Sequence, residues 1–479
     1  MAEPSSSLTT SQRASRDRVR ALAKQHLTNA RAIYSSTTTT VSQAHQIHDI
    51  TTAKTDSKPK SSHSSFASTL PIYRRAVSAG LLRAQVPTPL GGTCDSLLDL
   101  SLMTEELYSV DTSASLTILG TGLGLTPLIL AAAGAAKLDG EAGKGTMQLV
   151  QRFLRPFLEA SGDGEGVEGA PLASLVFSEP QGSANFAAAE SDGLQTVAVE
   201  DGEDFVLNGE KIWATNSSGW DDRGADLQCV VCRIPSASSP KATTNGTTTN
   251  GTSPTNNNRT QIAILLVTRA DIARNPLSAY SILSHPSTLG HRAVNGPHQR
   301  FTNLRVPKSQ LLAPPDGTGA ALVEATFTGS AAIVAAMSVG IMRQAFSIAL
   351  DWAKSDTRGS REKMIEKQSV ADLLVGIKTK MEVTRAIARR AIVAFEKSEK
   401  VGSELCYHSK LYGAEAAVES VRDAMYAVGV GSYDRGKFGL AGLWEDVIVM
   451  PVFDGGNVGV RRRQVEALMK GEGYDGLED

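Results

Sequence analysis

The last third of the chain constrains the fold most. After Gly317 come three long stretches in which apolar residues recur at helical spacing and no proline intervenes, near Gly319–Lys354, Glu362–Lys397 and Ser403–Val428. At a rise of ~1.5 Å per residue the first two approach ~50 Å each, which suits an antiparallel bundle rather than a compact globule. Shorter helical segments follow at Leu440–Val449 and Val458–Lys470. Small residues crowd the first long segment, from Gly329 through Ser330 to Met337, as helices need when they approach closely. Residues 317–479 therefore form a four-helix bundle domain.

The periodicity upstream divides the rest. Residues 1–170 read as an all-helical domain, with a surface helix from about Leu8 to Ala32 and clear three- and four-residue spacing in Leu70–Leu82. Residues 171–316 switch to short β-rich runs: Leu172–Phe177, Leu194–Val199, Asp204–Leu207, Lys211–Thr215, Leu227–Ile234, Gln261–Val267 and Gln299–Val306. Runs of that length with turn residues between them predict a small barrel or sandwich. Within it Ser236–Arg259 is an Asn/Thr/Ser/Gly tract too polar to bury, read as a disordered insert. The fold class is α+β, mostly α: helical domain, β domain, bundle.

Net charge is −2, with 41% apolar and 20% charged residues, so neither nucleic acid nor an anionic membrane surface is an expected partner. The four cysteines make no disulfide framework. Cys229 and Cys232 form a C-x-x-C, but inside a strand pattern, where positions three apart point to opposite faces, and no ligand set for a metal completes it. Thr112–Ala136 carries no charge and meets the length criterion for a membrane span. Its glycines, Pro127 and threonines are expected to break up a lipid-facing helix, which leaves a buried core element. Without a clear targeting signal, the cytoplasm is the expected location.

Three groups of motifs carry chemistry. Phe177-Ser-Glu-Pro-Gln-Gly-Ser-Ala-Asn185 and Asn208-Gly-Glu-Lys-Ile-Trp-Ala-Thr-Asn216 together resemble the paired signatures of the acyl-CoA dehydrogenase superfamily. That resemblance implies FAD, with Ser178, Ser183, Trp213 and Thr215 at the isoalloxazine ring, where hydrogen-bonding groups and an aromatic wall set ring position. Leu289-Gly-His-Arg and Phe301-Thr-Asn-Leu-Arg-Val-Pro307 resemble the end of the family's sheet domain. Ser355-Asp-Thr-Arg-Gly359 and Gln368-Ser-Val-Ala-Asp372 resemble a segment whose Arg and Gln, here Arg358 and Gln368, reach the FAD of a neighbouring subunit. The guanidinium fork suits a pyrophosphate. Ala427-Val-Gly-Val-Gly-Ser-Tyr433 resembles the Gly-rich turn at that pyrophosphate, through Gly429 and Gly431, although Tyr426 stands where the dehydrogenases commonly carry Gln. A homotetramer is the implied assembly.

The third group is Met450-Pro-Val-Phe-Asp-Gly-Gly-Asn-Val-Gly-Val-Arg-Arg-Arg-Gln464. Taken alone, an Asp before Gly-Gly is a turn or cap residue. Acyl-CoA dehydrogenases typically carry Glu at the corresponding place, followed by Gly-Thr; here Asp454 is one methylene shorter and Gly456 replaces the Thr. With Arg461 further on and Phe327-Thr-Gly-Ser330 in the first bundle segment, the pattern resembles the nitroalkane oxidase family within that superfamily. The resemblance implies Asp454 as the base that deprotonates the substrate carbon, with Arg461 and Ser330 as its partners and Phe327 in the substrate pocket. If a helix starts early enough, seven residues are about two turns and put Arg461 on the face of Asp454, where a cation favours the charged carboxylate.

The implied reaction is FAD-dependent oxidation of a nitroalkane to an aldehyde or ketone with release of nitrite and, through dioxygen, hydrogen peroxide. Two alternatives stay open: an acyl-CoA dehydrogenase or related carbon-acid oxidoreductase, and an FAD-binding scaffold without turnover.

Overall fold

The computed structural model describes residues 8–35, 63–137, 140–165, 167–188, 191–235 and 258–476. At its centre lies a mixed eight-stranded sheet. Its strands are β1 (Ala173–Val176), β2 (Val197–Asp201), β3 (Asp204–Lys211), β4 (Leu227–Arg233), β5 (Ile262–Thr268), β6 (Tyr280–Ser284), β7 (His298–Pro307) and β8 (Leu311–Ala313). The order is β6-β7-β3-β2-β4-β5-β8, with β1 beside β4. β2 meets β4 only where Val197 pairs with Arg233, so the sheet has two wings. Both wings contribute to one core, with Phe205, Leu207, Phe301 and Leu304 from one and Val230, Cys232, Leu265 and Val267 from the other. This is the small β domain that the short runs predict.

β4 and β5 are buried on both faces, which explains their unbroken apolar sequences. Val230 and Cys232 face the sheet core, whereas Cys229, Val231, Ile264 and Leu266 join the larger core shared with the helices. Cys229 and Cys232 thus lie on opposite faces, as strand geometry requires, and both are free thiols.

Three sequence expectations need correction. Thr112–Ala135 is a single continuous helix, not an interrupted element, and most of it is buried. Its glycines are contact points: a Cβ on Gly120 would lie 2.6 Å from Thr215 Cγ2, on Gly122 2.0 Å from Gln85 Oε1, and on Gly124 2.4 Å from the Ser174 nitrogen. Tertiary packing thereby outweighs the poor helix propensity of glycine. Lys211–Thr215 is not a strand, because β3 ends at Lys211 and Trp213 adopts a left-handed backbone with φ +66°. The polar insert does not run to Arg259. Residues 236–257 lie outside the described residues, but Asn258 is buried and its amide donates 2.7 Å bonds to the carbonyls of Ala188 and Ser191, while Arg259 pairs with Glu324.

The bundle consists of Thr318–Ser355, Gln368–Glu396 and Gly402–Val428, packed on one another, with Leu440–Val447 and Arg462–Met469 against the third. Small residues set the approach: a Cβ on Gly413 of the third helix would meet Thr384 Cγ2 of the second at 2.8 Å and Ala335 Cβ, in the small-residue stretch of the first, at 3.5 Å. The first helix starts against β5, where a Cβ on Gly319 would fall 2.2 Å from the Ile262 carbonyl oxygen. It also crosses Leu97–Tyr108, and there Arg343 and Arg385 reach Glu105 at 2.9 Å, and Arg343 also reaches Glu106 at 2.9 Å. Bundle, sheet and N-terminal helices are thereby locked together.

Candidate active site

The segment from Pro451 to Arg461 folds back on itself. The Asn457 amide donates to the Pro451 carbonyl at 2.8 Å and closes a turn with Asp454 near its apex. Asp454 has φ +53° and Gly455 φ +71°, consecutive left-handed residues that reverse the chain. Asn457–Arg461 then forms one π-helical turn, its Arg461 amide donating to the Gly456 carbonyl, before the α-helix starts at Arg462. The helical-phase argument for Asp454 and Arg461 therefore does not hold. The two side chains meet because the left-handed turn carries the carboxylate back over the π turn.

The arginine is fully buried. Its Nη2 donates to the backbone carbonyls of Phe327 and Asp454, each at 2.8 Å, and lies 3.3 Å from Asp454 Oδ2; Nη1 donates to Gln464 Oε1 at 3.0 Å. The guanidinium stands 5.5 Å from the Tyr407 ring centre. A Cβ on Gly455 would come within 3.1 Å of that guanidinium, so this glycine supplies both the conformation and the space. Ser330, from the first bundle helix, places its hydroxyl 2.9 and 3.0 Å from the two Asp454 carboxylate oxygens. The Asp454 side chain is 7% exposed, held from both sides yet reachable.

Phe327 lies one turn before Ser330 and so on the same helix face. Its ring packs 5.1 Å from Phe177, which in turn packs edge-on against Phe186 at 5.2 Å. Arg463 donates to Asn185 Oδ1 and ties the loop of Phe186 to the helix that follows Arg461. An aromatic wall, a partly buried carboxylate and a fixed cation are thus brought together at one place, from three separate parts of the chain.

The paired loops are bound to each other through two charged residues that sequence reasoning passed over. Glu179 and Lys211 form an ion pair at 2.9 Å with both side chains wholly buried. Glu179 also accepts from the amides of Gln195 and Thr196, and Lys211 donates to the Phe177 carbonyl. Burial raises the Glu179 pKa, but Lys211 and the amide of Gln195 outweigh it and hold the carboxyl below its ordinary value. Beyond this clasp Trp213 stands 56% exposed on its left-handed backbone. Ser178 and Thr215 are half-buried nearby in sequence, and Ser183 lies in the loop tied by Arg463. A large indole held out in a sparsely populated backbone conformation, with hydroxyls on the two clasped loops, fits a planar, polar ring such as a flavin.

A second cluster forms at the far end of the third bundle helix. Arg358, with φ +48°, donates to the Val428 carbonyl and lies 4.9 Å over the Trp352 ring. Its Nη2 would stand 3.6 Å from a Cβ on Gly429, so the structure brings Arg358 to the Gly429–Gly431 turn within one chain. Gln368 begins the second helix, exposed and bonded to Asp372 at 2.7 Å. The turn is apolar and open, with Val430 87% and Tyr433 81% exposed. A cation beside a Gly-rich turn fits a phosphate group.

Helical domain, β domain with clasped loops and a bundle bearing the acid define an acyl-CoA dehydrogenase-like flavoprotein. In keeping with that class, residues 317–469 match the acyl-CoA dehydrogenase C-terminal domain family. The nitroalkane oxidase of Fusarium oxysporum is 44% identical over 422 residues, 88% of this chain and 89% of that protein. Among solved structures, a nitroalkane oxidase active-site variant with Asn for an Asp, crystallised with 1-nitrooctane, aligns at 41% identity with a TM-score of 0.82, covering 98% of this chain and 97% of the other. Another, described as addressing the roles of an arginine and an aspartate in the reaction of the flavoprotein, aligns equally well at TM-score 0.82, 41% identity, 98% and 97% coverage. The chain belongs to the nitroalkane oxidase family.

Proposed function

We infer that this chain is an FAD-dependent nitroalkane oxidase, and that the observation carrying the reading is the Asp454 carboxylate gripped between Ser330 and Arg461 beside an aromatic wall. A primary nitroalkane, dioxygen and water would give an aldehyde, nitrous acid and hydrogen peroxide; a secondary one would give a ketone. Bound FAD supplies the electron acceptor that dioxygen regenerates.

The chain's own contribution begins with the proton. A nitroalkane is a carbon acid, and a fixed carboxylate near its α-carbon acts as general base. Ser330 and Arg461 fix the Asp454 oxygens, and positional error near ~1 Å can cost ~10²-fold. Phe327, Phe177 and Phe186 offer the alkyl chain an apolar face. Ser178, Ser183, Trp213 and Thr215 would hold the isoalloxazine; Arg358, Gln368, Gly429 and Gly431 would hold the pyrophosphate end, in our reading that of a neighbouring subunit in a homotetramer. In the related protein the arginine and aspartate singled out stand seven positions apart, the separation of Asp454 and Arg461 here.

The test is turnover by the purified holoenzyme. Nitroethane and longer nitroalkanes should release nitrite and peroxide in equal amounts, and acyl-CoA thioesters should leave the flavin oxidised. Flavin bleaching by acyl-CoA but by no nitroalkane would overturn the reading in favour of a dehydrogenase; bleaching by neither would favour a scaffold.

A further inference from the structure

Behind the catalytic turn lies a buried cation that the reaction as described does not use. Lys410, on the Gly402–Val428 helix, is fully buried. Its Nζ donates to Asn457 Oδ1 at 2.7 Å and lies 3.3 Å from the Pro451 carbonyl oxygen. That carbonyl also accepts from the Asn457 amide at 2.8 Å. The Asn457 side-chain amide in turn donates to Glu415 Oε1 at 3.0 Å and to the Leu411 carbonyl at 3.3 Å. Lys410 thus grips both feet of the turn that carries Asp454, while Asn457 anchors it to the helix of Lys410.

Among the described residues Lys410 makes no direct ion pair, so its ammonium, buried on neutral acceptors, has little to offset its desolvation. We propose that Lys410 is a positioning residue for the base: its ammonium, acting through Asn457 and Pro451, holds the turn in the form that aims Asp454 at the substrate carbon. This rests on Asp454 as the base. Charged and titratable groups around Lys410 are Asp454 and Arg461 from the turn, Glu415 one helical turn along its own helix, and Tyr407 beneath the arginine. Burial, against the opposing charges of Asp454 and Glu415 and with that of Arg461 adding to it, brings Lys410 down to about 8. The charge on the ammonium strengthens both bonds, so the grip weakens as pH rises through about 8, where the neutral amine keeps only two donors.

The experiment compares parent, Lys410→Met, Lys410→Arg and Asp454→Asn holoenzymes by anaerobic stopped-flow flavin bleaching, with neutral nitroethane and with its preformed nitronate. Lys410→Met should slow reduction by neutral nitroethane by about 10- to 100-fold, as expected for a base displaced by a fraction of an ångström to about 1 Å, and leave reduction by the nitronate within about threefold. Lys410→Arg should recover part of the rate with neutral substrate and lose the parent's decline above pH 8, since arginine stays charged. A role in folding alone would slow both substrates alike. Equal slowing of both, or a Lys410→Met rate with neutral nitroethane within twofold of the parent, would overturn the proposal. Should Lys410→Met not fold, Lys410→Gln takes its place in the same two-substrate comparison, with the same outcomes overturning the proposal. Asp454→Asn separates the two readings: if it too is as fast as the parent, the failure belongs to the base assignment.

Discussion

Replacing Asp454 by Asn removes the proposed base and almost nothing else. Volume is nearly conserved, and the amide can turn its oxygen toward Arg461 and its nitrogen toward Ser330 Oγ, which now sit 3.3 Å from Oδ2 and 2.9 Å from Oδ1. Removing one partner of a buried ion pair usually costs ~3–5 kcal/mol because the other charge is left alone. Here Arg461 keeps its two 2.8 Å bonds to backbone carbonyls and its bond to Gln464. What is lost is one longer charge-assisted contact, worth about 1–3 kcal/mol, so Asp454→Asn should fold and bind FAD. The rate should fall by the contribution of a general base, ~10²–10⁴-fold, or about 2.7–5.5 kcal/mol in barrier. A preformed nitronate has already lost its proton and should recover most of that defect. The assay is anaerobic stopped-flow bleaching of the flavin with both substrate forms. An Asp454→Asn enzyme that bleaches as fast as the parent with neutral nitroethane would falsify the assignment; a defect equal for both forms would show that the residue positions substrate instead.

Gly455→Ala should cut turnover with neutral nitroalkane by at least tenfold, because a side chain there would be strained at φ +71° and crowd Arg461; activity in the parent's range would show that the turn can relax. Arg358→Ala should lower FAD content and weaken assembly together, read by flavin absorbance and sedimentation; full FAD in a stable monomer would contradict its assignment. Replacing residues 236–257 by a short Gly/Ser link should leave FAD content and turnover unchanged, whereas Asn258→Ala should cost about 1–3 kcal/mol by removing its two 2.7 Å bonds to the Ala188 and Ser191 carbonyls, measured by thermal unfolding. An Asn258→Ala protein as stable as the parent would refute that role.

The order of helices, sheet and bundle was legible because apolar spacing reports burial directly, and β4 and β5 stood out because both their faces are covered. β6 and β8 were not: Tyr280–Ser284 ends in exposed residues and Leu311–Ala313 is only three residues long, so neither has a pattern of its own. The site residues Asp454, Arg461, Ser330 and Phe327 were legible as a set through family likeness, but their geometry was not. Consecutive left-handed residues and a π turn leave no periodic trace, so counting residues at α-helical pitch reached the right pair for the wrong reason. Buried Glu179, Lys211 and Lys410 were hidden for a different reason: charged residues default to the surface, and only the fold shows which are enclosed.

The single π turn makes the segment after Asp454 sensitive to how many residues it holds, and at Val458 and Gly459 far less to which. Val458 is 74% exposed, and a Cβ on Gly459 would meet nothing within 4 Å, so both positions can change side chain freely. Each residue of a helix, however, turns the chain by about 100°. Losing one here without a change of winding from π to α would turn Arg461 by about that angle away from the carboxylate, although no residue in contact with either had been touched. Variation among relatives should therefore run through the identities of these positions and stop at their spacing, a restraint that a position-by-position view of the chain does not register.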